Sequence, residues 1–228
     1  MKVRSAFELS NALDNALAWR KKEITTIFLT AKNQRRIHEK KACLRAFVPI
    51  LYAHWEGYAK EAATYYIEFV ARQRLTYNDL TTNFVSISCR STINEISKSN
   101  QIHIHNQLVD FLTYSQNERA RIPYKGVIDT ESNLSAKVLR NLLFVIGLPF
   151  DEFWQKKSLL IDGKLLFYRN KIVHGEKHII DEATFTELHD IVIDLIDYTK
   201  TSIENFAIQE KYKRKTQPSH APEGSTHW

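Results

Sequence analysis

The run AFVPILYAHWEGYAKEAATYYIEFV, Ala46 to Val70, decides how the chain folds. With Leu44 just before it, the apolar positions Leu44, Val48, Leu51, Trp55, Tyr58, Ala62, Tyr65 and Phe69 alternate spacings of four and three. That is one face of an amphipathic α-helix, and it does not fit the period of two that a half-buried strand needs. Pro49 removes a backbone donor, so it marks either a kink or the first turn of a new helix. The spacing predicts one long helix, bent or straight, ending near Arg74.

On the N-terminal side, Arg4 to Val48 contains no Gly and no Pro and is rich in Ala, Leu, Lys, Arg, Glu and Gln. These residues lose little freedom in a helix, which predicts two helices or one long bent one. Residues 1–34 read as an N-terminal helical extension. On the C-terminal side, residues 75–128 suggest shorter helices in NDLTTNFVSISCRSTINEIS and HNQLVDFLTYS, with a brief strand at VSIS as an alternative. IPYKGVIDTESN reads as a loop.

A capping Ser132-Asn133 pair then introduces Leu134, Val138, Leu142 and Val145 at helical spacing, stopped by Gly147 and Pro149. After FDEFWQKK, a helix started by Asp162 carries Leu165, Leu166, Tyr168, Arg169, Ile172 and Val173, and Gly175 ends it. Asp181 caps a final helix with Phe185, Leu188, Val192, Leu195, Thr199, Ser202 and Phe206 on one face. The reading is all-α, a single helical domain over 1–212 followed by a disordered basic tail over 213–228.

Composition agrees with helices. Only 6 Gly and 5 Pro occur in 228 residues, too few to punctuate an all-β fold. No run approaches the ~18 apolar residues of a membrane span, and the start MKVRSAFELS lacks the apolar core of a secretory signal. A cytoplasmic protein without a membrane partner is expected. Cys43 and Cys89 form no CxxC pattern, which argues against a disulfide framework or a structural zinc. The formal charge of +6 favours a polyanionic partner.

The chain has no GxGxxG, GxxxxGK[ST], HExxH or GxSxG, so phosphate-loop, zinc-protease and nucleophile-elbow chemistry lack their residues. His103, His105 and Asp110 are weak metal candidates, and Glu56 has no carboxylate partner at a useful spacing. Neither a metal nor a cofactor is assigned.

What remains is FYRNKIVHGE, Phe167 to Glu176, with Arg169, Asn170 and His174 as the candidate catalytic set. An imidazole can move protons to or from a ribose 2′-hydroxyl or a leaving 5′-oxygen. A guanidinium can hold phosphate oxygens as charge builds, and the Asn amide can fix either group. The spacing alone is weak: 13 Arg and 9 His in 228 residues give about 0.5 such pairs by chance. It equally suits a surface Arg and a His that caps a helix end. Five residues along a helix also turn about 500°, so Arg169 and His174 do not share a face. A twofold dimer that joins two such helix ends would gather two Arg and two His in one cleft.

RNKIVHG resembles the Arg-x4-6-His signature of the HEPN superfamily. AFVPILYAHWEGYAKEAATYYIEFV, LLFVIGLPF and LLFYRNKIVHGE, in that order, resemble its MAE_28990/MAE_18760-like subgroup over most of residues 35–210. The resemblance implies an α-helical bundle, a homodimer with a composite cleft, and a metal-independent endoribonuclease of a toxin-antitoxin or antiviral defence system. By position, Arg169 would bind phosphate, Asn170 would be its polar companion and His174 the catalytic His. RNA, a second copy of the chain and an antitoxin or defence-operon protein are the implied partners. In the HEPN toxins paired with a minimal nucleotidyltransferase, a Tyr stands two residues after the His. Here that residue is Glu176, which argues against that class of antitoxin. A noncatalytic HEPN-like module that binds RNA or protein is the alternative, and a purely structural helical adaptor is a third.

Overall fold

The computed structural model describes residues 2–215. The first helix, α1 (Ala6–Lys32), opens with a reciprocal cap: the Ser5 hydroxyl accepts the Glu8 N–H while the Glu8 carboxylate accepts the Ser5 N–H. After a break at 33–36 the long helix α2 (Ile37–Ala71) runs through Pro49 for 35 residues. The Gly- and Pro-free N-terminal stretch is therefore two helices. α2 is the axis of the fold, packed most extensively against α8 (Glu182–Ile208) and α1.

The predicted seam of α2 is buried at every position except Tyr65, which is only half-buried and donates its hydroxyl to Glu61 at 2.6 Å. Burial is wider than one seam. Tyr52, Ala59, Ala63, Tyr66, Ile67 and Val70 are also enclosed, because α2 has neighbours on several sides. Each fully buried large side chain of this kind contributes roughly 1.5–3 kcal/mol of transfer free energy.

Within the stretch 1–34, expected as an extension, α1 is integral to the bundle. Leu9, Leu13, Ile24 and Ile27 of α1 are buried against α2 and α8 because they repeat at helical spacing, as the α2 seam does.

Two shorter helices, α3 (Thr82–Ile96) and α4 (Ile102–Tyr114), pack on each other, and α3 also meets α5 (Ala136–Val145) and, through Phe84, Tyr66 of α2. VSIS lies inside α3 and is helical, not a strand. Next comes α5, whose cap is Ser135, accepting the Val138 N–H, and not the Ser132-Asn133 pair. Leu134, counted in that helix from its spacing, instead lies just before it. The helix predicted to start at Asp162 starts earlier, at Asp151. One rod runs unbroken through α6 (Glu152–Leu160), a π-helical segment (Ile161–Leu166) and α7 (Phe167–Val173).

Asp151 secures the start of that rod twice over, accepting the Trp154 N–H and the Tyr198 hydroxyl. Asp162, inside the rod, accepts the N–H of Ala136 at 2.8 Å and so caps the neighbouring α5. Asp181 caps α8 as expected, accepting from the Thr184 N–H at 2.7 Å.

The buried face of α8 departs from the predicted one after Thr199, continuing through Ile203 and Ala207 instead of Ser202 and Phe206. A strict four-three alternation has a period of 3.5, whereas the helix turns in 3.6. The predicted stripe drifts by ~20° per heptad until the neighbouring residue takes over.

Of the disordered basic tail expected over 213–228, residues 213–215 are instead anchored. Tyr212 is buried edge-on against Phe69, Lys213 bridges to Leu80, and the Arg214 N–H donates to the Asp79 carbonyl at 2.7 Å. An aromatic anchor at the end of α2 and backbone partners at Asp79, Leu80 and Thr81, just before α3, hold this stretch. Residues 216–228 lie outside the described residues.

Among the described residues no helix is long and apolar enough to cross a membrane.

Candidate functional site

The motif residues are placed by the rod from α6 to α7. Trp154 is buried at its start, against Trp55 of α2 and Tyr198 of α8, with ring centroids 6.1 and 5.3 Å apart. Further along, Ile161 and Leu165 are fully buried, and Arg169 follows at the same spacing of four. The π-helical turns between them insert an extra residue into the ladder, which re-aims everything after it; such bulges recur at functional sites.

Arg169 therefore continues an inward row and meets α2. Its guanidinium lies 5.2 Å over the Tyr52 ring and donates to the Asn170 side-chain oxygen at 2.7 Å. That hydrogen bond occupies one of five guanidinium donors and leaves the rest of the fork for a ligand.

Tyr52 is itself held firmly. Its hydroxyl accepts the Leu134 N–H at 2.6 Å and lies near Glu56, whose carboxylate accepts the Thr130 hydroxyl at 2.7 Å. Burial, with Glu56 beside it, pushes the Tyr52 hydroxyl far above the usual tyrosine range, although Arg169 pulls the other way. It stays neutral at any physiological pH. Glu56 is a clamp between α2 and the 127–134 loop. This loop is not a loose solvated one: Val127, Ile128 and Thr130 are buried.

α7 ends in a Schellman turn. The N–H of Gly175 donates to the Ile172 carbonyl and that of Glu176 to the Lys171 carbonyl, with Gly175 at φ +78°. His174 is the last residue before that glycine, its own N–H donating to the Asn170 carbonyl at 3.0 Å. The His174 side chain is exposed, and among the described residues no hydrogen bond joins it to Arg169. One copy of the chain thus links Arg169 to Asn170 directly and His174 to Asn170 only through the backbone.

The ground around this helix end is basic. Arg45 of α2 donates to the Glu176 carbonyl at 2.7 Å and pins the turn, while Lys171 pairs with the Glu176 carboxylate at 2.6 Å. Lys41, Arg45, Lys177 and His178 line an adjoining hollow of about 430 Å³ beside Gly175. His178 lies 5.2 Å from Tyr168 and 5.9 Å from Phe167, ring to ring. Tyr52, Arg45 and His178 are the neighbours that sequence reasoning missed. Tyr52 and Arg45 lie on a helix more than a hundred residues earlier, a contact no local spacing announces, and His178 lies past the glycine that ends the motif.

His103 and His105, the weak metal candidates, lie two apart on α4, so they point to nearly opposite sides of a helix. Among the described residues no three His, Cys, Asp or Glu side chains cluster as metal ligands would.

A long central helix, a C-terminal partner helix and an Arg-x4-His motif on the last turns before it make this a HEPN-type helical domain. Comparison with known families places it further: residues 15–205 match RiboL-PSP-HEPN, and the chain belongs to that family. Membership supports a nuclease or RNA-binding role in general terms. The superfamily resemblance read from the motif is thereby borne out. No curated protein and no solved structure matches the chain.

Proposed function

We propose that the protein is a metal-independent endoribonuclease whose site is completed when two copies bring their α7 ends together. Arg169 holds the scissile phosphate, Asn170 keeps the guanidinium oriented, and His174 transfers the proton. The observation that carries this reading is the set of Arg169, packed on a rigid Tyr52 with most of its donors unspent, on a helix that ends at an exposed His174.

Phe167, Val173 and Ile179 are 41%, 54% and 68% exposed around that same end, which supports self-association there. The basic hollow beside Gly175 suits a phosphodiester chain. A toxin-antitoxin or antiviral defence system, acting in the cytoplasm and restrained by a partner protein, is the setting that this chemistry fits.

A noncatalytic RNA-binding module is the second reading. It is favoured by the His174 ring, which among the described residues has no carboxylate or carbonyl to fix its orientation.

The test is to incubate the purified chain with end-labelled RNA in excess EDTA over a range of protein concentrations. New RNA ends should appear, with activity per chain rising as the dimer forms. RNA that is bound but uncut overturns the nuclease reading in favour of the binding module.

A further inference from the structure

A second basic cleft lies at the opposite end of α2, about 30 Å from Tyr52 at 1.5 Å per residue to Arg72. It has a volume of about 820 Å³, and Arg4, Arg72, Arg74, Arg119 and Arg121 line it against one carboxylate, Glu118. Three separate segments are tied together to make it.

The N-terminal strand of chain is fastened to the end of α2: Val3 is buried with its N–H toward Glu68, and Gln73 donates to the Arg4 carbonyl at 3.1 Å. Past the last turn, Arg74 adopts φ +60°, a left-handed backbone that is uncommon for a residue with a side chain and marks a site worth explaining. The extended stretch 119–122 is pinned by the Ala120 N–H on the Leu75 carbonyl at 2.8 Å and by the Arg121 N–H on the Tyr77 hydroxyl at 3.1 Å.

Because Ala120 and Ile122 turn into the core, Arg119 and Arg121 alternate outward on one side, roughly 6.6 Å apart. Arg72 is spent on Glu68 and lies over Tyr124. Among the described residues Arg4, Arg74, Arg119 and Arg121 have no carboxylate within pairing distance, and all four are exposed. Holding four like charges together costs free energy that no fold contact here returns. An anionic ligand would offset that cost.

We propose that this cleft grips the sugar-phosphate backbone of a single-stranded RNA at a second point, remote from the Arg169–His174 end. The proposal rests on the reading of RNA as the ligand, but not on cleavage. Guanidinium forks suit phosphate oxygens, and Tyr124 adds an aromatic ring to the lining. One polyanion long enough to reach both basic sites accounts for both, whereas an acidic peptide would account for this one alone.

The test measures binding of the full chain and of an Arg119→Gln/Arg121→Gln variant to two fluorescent RNAs, one short and one long enough to span ~30 Å. Inorganic triphosphate and polyglutamate serve as competitors. Both altered side chains are exposed and the anchors are backbone groups, so melting temperature should not fall. Arg4→Gln with Arg74→Asn is an independent pair, since Asn tolerates the left-handed backbone.

For the long RNA, Kd should rise about tenfold, and the slope of log K against log salt should flatten by about 1.4, at ~0.7 per lost phosphate contact. The short RNA should bind the variant and the wild type alike. Unchanged affinity and slope for the long RNA in both pairs would overturn the proposal. So would polyglutamate binding more tightly than RNA, or triphosphate displacing the long RNA at equal phosphate concentration. A wild-type chain that binds RNA in this way without cutting it removes the nuclease reading and leaves the cleft standing.

Discussion

α5 and α7 end alike in different surroundings. Each stops in a Schellman turn on a glycine with positive φ, +75° at Gly147 and +78° at Gly175, with the same two backbone hydrogen bonds. At Gly147 the turn is closed in: Ile146 and Leu148 are buried, and Asn83 stands 3.0 Å from where a Cβ would be while donating to the Val145 carbonyl. At Gly175 nothing approaches within 4 Å, His174 and Glu176 are exposed, and lysine and arginine side chains stand nearby. Identical cap chemistry therefore says where a helix ends and nothing about what the end is for. The surroundings separate the two: one end is a packing joint, the other is open to solvent among basic side chains.

Replacing each glycine by alanine is the sharpest way to break that contrast. Gly147→Ala should lose about 2–3 kcal/mol, from left-handed strain of ~1–2 kcal/mol together with displacement of Asn83. Gly175→Ala should lose only the strain, about 1–2 kcal/mol, because the space beside it is open. Urea denaturation of both variants measures the difference; equal losses would mean that the two ends are equivalent after all.

Asn83→Ala should cost about 1 kcal/mol through the lost hydrogen bond to Val145. In that background the penalty of Gly147→Ala should fall to that of Gly175→Ala. A double-mutant cycle reads this coupling directly.

The smallest effect lies where α2 meets α1, away from both ends. Burial holds the His54 imidazole below the usual histidine range; Glu23 opposes this shift and Arg20 reinforces it. The unfolded chain then binds a proton that the folded chain refuses, so stability is retained above pH ~6.5 and declines as pH falls through it. His54→Gln should flatten that decline in melting temperature between about pH 7 and pH 5, and the curves of the two glycine variants should run parallel to that of the wild type. A decline that persists unchanged in His54→Gln would place its cause elsewhere.

How much of this was legible in the sequence follows the range of the interactions. The α2 seam from Leu44 to Phe69 and the glycine stops at 147 and 175 are local patterns, and they located the long helix and both ends. The α8 stripe was right up to Thr199 and then slipped, because a 3.5 period and a 3.6 helix diverge with length. Asp162 shows the limit of local reading: its residue type fits a cap, and it is one, but for α5 across the fold and not for its own helix. At the site, Arg169, Asn170 and His174 stood out as a motif. Tyr52 beneath Arg169, Arg45 on the turn and the four arginines at the far end of α2 gave no signal, since tertiary packing alone brings them together.

The central claim is that the α7 end performs the chemistry, and the rate of RNA cleavage in EDTA by wild type, Arg169→Ala and His174→Ala tests it most directly. Gly147→Ala, assayed at a temperature where all four are folded, is the matched control. Each change at the α7 end should lower the rate by about 100-fold or more, the scale of a lost proton-transfer or phosphate-binding group. The α5 variant should cut at close to the wild-type rate. Cleavage that survives both Arg169→Ala and His174→Ala would contradict the account.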